Sequence, residues 1–331
     1  MNLAKFPRRR YTVGKTPLEK LSRLSEQLGG PNIYMKRDDL LGLTAGGNKT
    51  RKLEFLMADA LEKGADTIIT CGAVQSNHCR LTLAASVKEG LKCRLVLEER
   101  VKGSYNPKAS GNNFLFQLLG VEKTKVVPGG SDMMKEMELV AEDVPYIIPG
   151  GGSNVIGATG YVACAQEIME QAFDMGIDIN YVVTTSGSTG THAGLITGFY
   201  GCNTNIPVIG IGINRKKDVQ EEAVYKLVES TAKHVGIKDI IPRDSVVCYD
   251  EYVGEGYSIP TDGMIDAVKT LASTEAILMD PVYTGKAMAG FLDLIKKGFF
   301  KKDDNVVFVH TGGSPALFAY TPTFWDHIEV K

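Results

Sequence analysis

Short runs of β-branched and apolar residues recur along this 331-residue chain with amphipathic helical periods between them, and that alternation restricts the fold more than any other feature. The runs are Asp66-Thr-Ile-Ile-Thr, Cys93-Arg-Leu-Val-Leu, Tyr181-Val-Val-Thr, Pro207-Val-Ile-Gly-Ile and Asn305-Val-Val-Phe-Val. They are apolar on neighbouring positions, which predicts strands buried on both faces, as in a parallel sheet sandwiched by helices. After Asn48, the residues Leu53, Leu56, Met57, Ala60 and Leu61 recur at helical spacing, and Gly64 supplies a stop. Weaker periods over 81–88, 161–173, 219–234, 264–271 and 288–295 predict further helices. The expectation is an α/β protein.

The length suits about two domains of roughly 150 residues each. Lys plus Arg number 37 against 39 Asp plus Glu, a formal net charge of −2, which leaves no electrostatic footprint for nucleic acid. The basic run Arg8–Arg10 is followed by Tyr-Thr-Val-Gly-Lys rather than an apolar stretch, so it does not begin a signal peptide. No apolar run approaches the roughly 18 residues of a membrane span, and a cytoplasmic protein without membrane partners is expected. The six cysteines, Cys71, Cys79, Cys93, Cys164, Cys202 and Cys248, form no C-x-x-C pair. Most read as buried thiols, and no metal site is expected.

Glycine is over-represented, 36 residues, and clusters in a few tracts that carry the candidate chemistry. Ala45-Gly-Gly-Asn-Lys-Thr-Arg-Lys places Lys49 in the first turn of the best-marked helix, with Asn48 as its expected cap. The positive end of the helix dipole pushes an ammonium there toward its neutral, nucleophilic form, as Schiff-base chemistry requires. A solvated basic first turn would read the same way. A phosphate-binding P-loop misses by one residue, because Asn48 separates Gly47 from Lys49, and Met35-Lys-Arg-Asp-Asp-Leu looks too charged for the buried strand such a loop follows.

Thr184-Thr-Ser-Gly-Ser-Thr-Gly-Thr-His-Ala-Gly joins a strand to a helix expected near Thr191, an architecture suited to an anion such as phosphate. It does not match G-x-G-x-x-G, which weakens a dinucleotide reading. Gln75-Ser-Asn-His-Cys puts polar groups at a strand's carboxyl end, although a capping cluster would look identical and His78 alone reads as structural. Pro149-Gly-Gly-Gly-Ser-Asn is either a hinge or a ligand-facing loop. Asp280-Pro-Val-Tyr-Thr-Gly-Lys and His310-Thr-Gly-Gly-Ser-Pro-Ala each set a hydroxyl beside glycine. A dipole-tuned lysine with a phosphate loop, and neither a metal cluster nor a nucleotide fingerprint, points to pyridoxal 5'-phosphate.

Gly46-Gly-Asn-Lys-Thr-Arg-Lys-Leu-Glu, Gln75-Ser-Asn-His and Asp280-Pro-Val-Tyr-Thr-Gly-Lys-Ala-Met resemble one branch of the pyridoxal-phosphate enzymes, from about Phe6 to Tyr320. That branch holds 1-aminocyclopropane-1-carboxylate deaminase, D-cysteine desulfhydrase and L-cysteate sulfo-lyase. The resemblance implies the fold of the tryptophan synthase β-subunit (fold type II): two domains of open twisted parallel sheets with helices on both faces. Residues 1–50 and 161–331 would form the larger domain and 51–160 the smaller, with the active site in the cleft between them. Lys49 would bind the cofactor as a Schiff base, Asn77 would bond its 3' oxygen, and Gly187, Ser188, Thr189, Gly190 and Thr191 would hold its phosphate. Ser76, Asn77 and His78 would line the substrate carboxylate pocket, with Tyr257 and Tyr283 opposite. A homodimer acting on a small amino acid is implied.

Two departures choose among the branch members. The deaminase pattern has a glutamate near the pyridine nitrogen and a leucine before the late Gly-Gly, where this chain has Thr284 and Thr311. A carboxylate would keep the ring nitrogen protonated far better than a hydroxyl, and opening an unactivated cyclopropane demands that strong electron sink. Threonines suit elimination of a good β leaving group, thiolate or sulfite, with pyruvate and ammonia as the other products. D-Cysteine and L-cysteate both remain open as substrates, with an ACC deaminase giving 2-oxobutyrate and ammonia, or a non-catalytic small-ligand binding protein on this fold, as the alternatives.

Overall fold

The computed structural model describes residues 1–329. Its ten strands are β1 (Leu18–Lys20), β2 (Asn32–Lys36), β3 (Thr67–Ala73), β4 (Lys92–Glu99), β5 (Lys123–Pro128), β6 (Pro145–Ile148), β7 (Tyr181–Ser186), β8 (Val208–Gly212), β9 (Val246–Tyr249) and β10 (Asn305–Val309). They form two sheets, one in the order β1-β2-β10-β7-β8-β9 and the other β5-β4-β3-β6. Only β1 runs antiparallel to its neighbour; all other pairings are parallel.

Both faces of the larger sheet are covered, and the strands divide their side chains accordingly. Ile33, Met35, Val306 and Phe308 pack with the helices Asp262–Glu275 and Thr284–Lys296. Tyr34, Val307 and Val309 pack on the other face against Val155–Met175, Gly190–Gly201 and Lys217–Val235. In the smaller sheet Ile68 meets Leu53, Leu56 and Leu81 from the helices Lys49–Glu62 and Asn77–Glu89, while Ile69 and Val96 face Met137. The uninterrupted apolar runs thus reflect burial on two sides.

All five expected strands and the expected helices form. One segment was misjudged. Met35-Lys36, read as too charged for a buried strand, lies in β2, and both residues are fully buried. The Lys36 ammonium is accommodated because it donates to Glu167 Oε1 at 2.6 Å and to the Thr16 carbonyl at 2.7 Å. A charged residue in a central strand is thus compatible with burial when the fold supplies its partner.

Candidate active site

Three chain tracts leave the carboxyl ends of strands and converge on one cleft of about 340 Å³. From β3 comes Ser76-Asn77-His78, from β7 the loop Gly187–Thr189, and from β10 the tract Thr311-Gly312. Lys49 enters at the start of its helix, and Tyr257 and Tyr283 close a further wall.

Asn48 does not cap that helix as expected. Its backbone is already helical and its side chain makes no capping bond. The amide is occupied by the site: Oδ1 accepts from Lys49 Nζ at 3.0 Å, and Nδ2 donates to Thr191 Oγ1 at 2.8 Å. Lysine and anion loop are thereby tied together. Desolvation lowers the Lys49 amine to about 8 despite the opposing charge of Asp280. The shift is toward the neutral, nucleophilic form read from the sequence, with burial as its principal cause, although the ammonium still predominates at pH 7.

The loop after β7 is built to present N–H groups. Thr189 adopts a left-handed conformation, φ +72°, which a β-branched residue rarely does, and it directs the chain into the helix Gly190–Gly201, whose first N–H groups have no intrahelical acceptors. Ser153 Oγ accepts from Gly190 N–H at 3.2 Å and lies 3.1 Å from Ser188 Oγ. A side chain at Gly151 would collide with Ser188 Oγ, its Cβ only 2.2 Å away. The glycine tract 149–152 therefore acts here as a close-packed, ligand-facing loop.

One site residue escaped the sequence reading. Lys52 is fully buried, one turn beyond Lys49 on the same helix, and donates only to the Gly151 carbonyl at 3.0 Å and Ser153 Oγ at 3.3 Å. A Cβ at Gly190 would stand 2.8 Å from its Nζ. Burial, and then repulsion from Lys49, hold this amine well below the ordinary lysine range. A buried amine without a carboxylate partner among the described residues, beside a helix N-terminus, suits a multiply charged anion. The signal was present: a second lysine three residues after Lys49 shares its helix face.

Ser76 caps its helix, its Oγ accepting from Cys79 N–H at 3.1 Å, and it also lines the cleft. Asn77 Oδ1 accepts from Asn112 Nδ2 at 2.9 Å, which fixes the amide and leaves its NH₂ without a protein acceptor among the described residues. That donor suits a phenolate oxygen. His78 Nε2 pairs with Thr70 Oγ1 at 2.8 Å while Nδ1 is buried without a partner. Burial and the nearby Lys49 and Lys52 keep the ring neutral, so it is a polar wall rather than a base.

Tyr257 and Tyr283 share a short hydrogen bond between their hydroxyls, their rings edge to face. Thr311 lines the cleft with its Oγ1 3.5 Å from Thr185 Oγ1. Thr284 does not reach the cleft surface. It is fully buried and donates to Asp280 Oδ1 at 2.8 Å, within a turn where Asp280 also accepts the N–H groups of Val282, Tyr283 and Thr284. The resemblance implied Thr284 and Thr311 beside the ring; Thr311 and Thr185 line the cleft, while Thr284 is buried behind it. The donors present, amine, loop N–H groups, buried lysine and amide NH₂, match the aldehyde, phosphate and phenolate of pyridoxal phosphate.

The comparisons agree with this cofactor. Residues 9–312 match the family described as pyridoxal-phosphate dependent enzyme. The chain is 44% identical over 327 residues to a D-cysteine desulfhydrase of Yersinia enterocolitica, spanning 97% of this chain and 98% of that protein. A crystal structure of an ACC deaminase homologue superposes with a TM-score of 0.89 at 37% identity, covering 98% of each chain. An O-ureido-L-serine synthase, 17% identical, shares the fold with a TM-score of 0.68 over 97% of this chain and 95% of that one.

Proposed function

The chain belongs to the pyridoxal-phosphate dependent enzymes, with that cofactor as its prosthetic group, and from this premise we propose that it is a carbon-sulfur lyase that eliminates the β-substituent of a small amino acid. D-Cysteine would give pyruvate, ammonia and hydrogen sulfide; L-cysteate is the second candidate, giving sulfite. The observation that carries the reading over cyclopropane opening is the composition of the cleft wall. Glu98 is the one carboxylate among the described lining residues, and it is held by Arg100 and by Gly130 N–H. Thr311 and Thr185 offer hydroxyls only, a weak support for a protonated ring nitrogen.

When bound, the cofactor supplies the electron sink for the carbon that loses its proton. Lys49 would hold the cofactor, and its Nζ, standing in the cleft, would take the α-proton of the substrate as the β-substituent departs. Ser76 and the N–H groups opening the helix Asn77–Glu89 bind the carboxylate, with His78 as a neutral wall. Residues 187–191 and Lys52 would hold the cofactor's phosphate, and Asn77 would orient its ring. Tyr257 and Tyr283 face the substrate from the opposite wall.

We assign the sheet β1-β2-β10-β7-β8-β9 to the larger domain, residues 1–50 and 161–331, and the sheet β5-β4-β3-β6 to the smaller, residues 51–160, with the cleft between them. All six cysteines are free, in keeping with a reducing cytoplasm. Among the described residues no helix is long and apolar enough to cross a membrane. A homodimer completes the reading, and analytical ultracentrifugation checks it.

The test is ketoacid release by the cofactor-loaded protein from D-cysteine, L-cysteate, L-cysteine and 1-aminocyclopropane-1-carboxylate, compared by kcat/KM. Pyruvate from either of the first two is expected to dominate. Predominant 2-oxobutyrate would instead favour the deaminase activity that the 37% identical homologue keeps in view.

A further inference from the structure

The candidate carboxylate receptor of the cleft lies at Ser76 and the helix opening at Asn77, and two arginines also line the cleft, Arg215 and Arg100, of which Arg100, just after β4, lies over a tyrosine of the site. Its guanidinium lies over the Tyr257 ring, 4.3 Å from the centroid, a cation–π contact. Its Nε donates to Glu98 Oε2 at 2.6 Å, and Glu98 is itself held through Oε1 by Gly130 N–H at 3.0 Å. The two Nη groups have no acceptor among the described residues, and 37% of the side chain remains accessible. An arginine with one edge anchored, one face stacked and two parallel donors free is preorganised for a planar or tetrahedral oxyanion. It lines the cleft beside Tyr257.

We propose that Arg100 is a specificity-determining residue that receives an acidic group on the β-carbon of the substrate, so that the cleft takes amino acids carrying a second acid, a β-sulfonate in particular. This rests on the lyase reading and deepens it. In the elimination of a sulfonate the C–S electron pair leaves with sulfite, while the α-proton passes to the base. Arg100 would hold the sulfonate oxygens before and during that departure. Glu98 does not oppose this, because its charge is spent on the anchored edge of the same guanidinium.

The experiment compares wild type, Arg100→Met and Arg100→Lys holoenzymes on both enantiomers of cysteate and of β-chloroalanine, whose β-substituent is neutral. Loss of two charged hydrogen bonds is expected to lower kcat/KM for the sulfonate by ~10-fold to 100-fold in Arg100→Met, chiefly through KM, with the chloro substrate changed by less than about threefold. Arg100→Lys, which keeps the charge without the fork, should recover part of the loss. Equal losses on both substrates would overturn the proposal and leave Arg100 as a prop for Tyr257; so would no loss on either. The outcome is kept separate from the lyase reading by calorimetric titration of cysteate into cofactor-loaded Lys49→Ala with and without Arg100→Met. If wild type releases no ketoacid at all, the lyase reading fails, whereas weaker cysteate binding on loss of Arg100 still upholds the sulfonate receptor, and unchanged binding overturns it.

Discussion

At the scale of single residues, two lysines one helical turn apart do different work because their surroundings differ. Lys49 faces the cleft, and its amine, brought down to about 8 by desolvation, is neutral in about one molecule in ten at pH 7, against roughly one in three thousand for an ordinary lysine. Covalent capture of the cofactor by the apoprotein should therefore accelerate nearly tenfold per pH unit below about 8 and level off above it, measured by stopped-flow absorbance. A rate still climbing steeply at pH 10 would place the amine in ordinary solvent. Lys49→Ala should lower turnover by at least ~10³-fold. Lys52 has no such cleft role; it donates inward to Gly151 and Ser153 beside the anion loop. Lys52→Met should weaken pyridoxal phosphate binding by roughly 10-fold to 100-fold while leaving the affinity for unphosphorylated pyridoxal nearly unchanged, because only the charged contact is lost. Equilibrium dialysis of the two forms decides it.

At the scale of elements, the anion loop is aimed by the packing of two helices that touch through glycine. A Cβ at Gly194 would stand 2.5 Å from Tyr161 Cβ, and one at Gly198 would stand 2.5 Å from Ala165 Cβ. The helices Val155–Met175 and Gly190–Gly201 thus approach more closely than any larger residue allows, and Gly198→Ala should destabilise the fold by about 1–3 kcal/mol, read by chemical denaturation. A neutral result would mean the helices can separate without consequence. Much of this level was legible beforehand. The run Tyr181–Thr184, the glycine tract and the following helix could be ordered from periodicity and turn chemistry alone, and Gly64 does end the helix after Lys49, in the left-handed conformation that glycine favours. What could not be read was the use made of polar side chains. Asn48 has the composition of a cap, but its amide has two better partners, Lys49 and Thr191, and the second lies 143 residues away. Thr284 and Thr311 looked equivalent in sequence, yet Asp280 consumes the hydroxyl of one and leaves the other on the cleft wall. Such competition is settled by tertiary contacts, which spacing does not encode.

At the scale of the whole molecule, a buried ionic network joins the pieces that position Lys49. Arg51, two residues along the same helix, donates from Nε to Asp38 Oδ2 at 2.7 Å and from Nη1 to Glu167 Oε2 at 2.9 Å, while Lys36 of β2 reaches Glu167 Oε1 at 2.6 Å. Tyr161 adds a hydrogen bond to Asp38 at 2.6 Å. The larger sheet, the lysine helix and the helix Val155–Met175 are therefore pinned at one point. Burial alone would raise both carboxyls; at Asp38 the charge of Arg51, and at Glu167 its hydrogen bond and charge, outweigh that, so both sit below their ordinary values. A depressed carboxylate contributes stability that is complete above its unfolded value of about 4 and is lost as pH falls through the folded value. Wild-type stability should thus change little through this network between pH 7 and 5 and decline below about 4. Arg51→Met should cost about 3–5 kcal/mol at pH 7, because it leaves the buried Asp38 carboxylate without its ion-pair partner and takes one of two cations from Glu167. Its deficit should shrink on acidification, since protonated Asp38 and Glu167 no longer require the guanidinium. Denaturant titrations of both proteins from pH 7 to 3 check the sign: a deficit independent of pH would mean that Arg51 acts by filling space, and that the lysine helix is held to the larger sheet by packing alone.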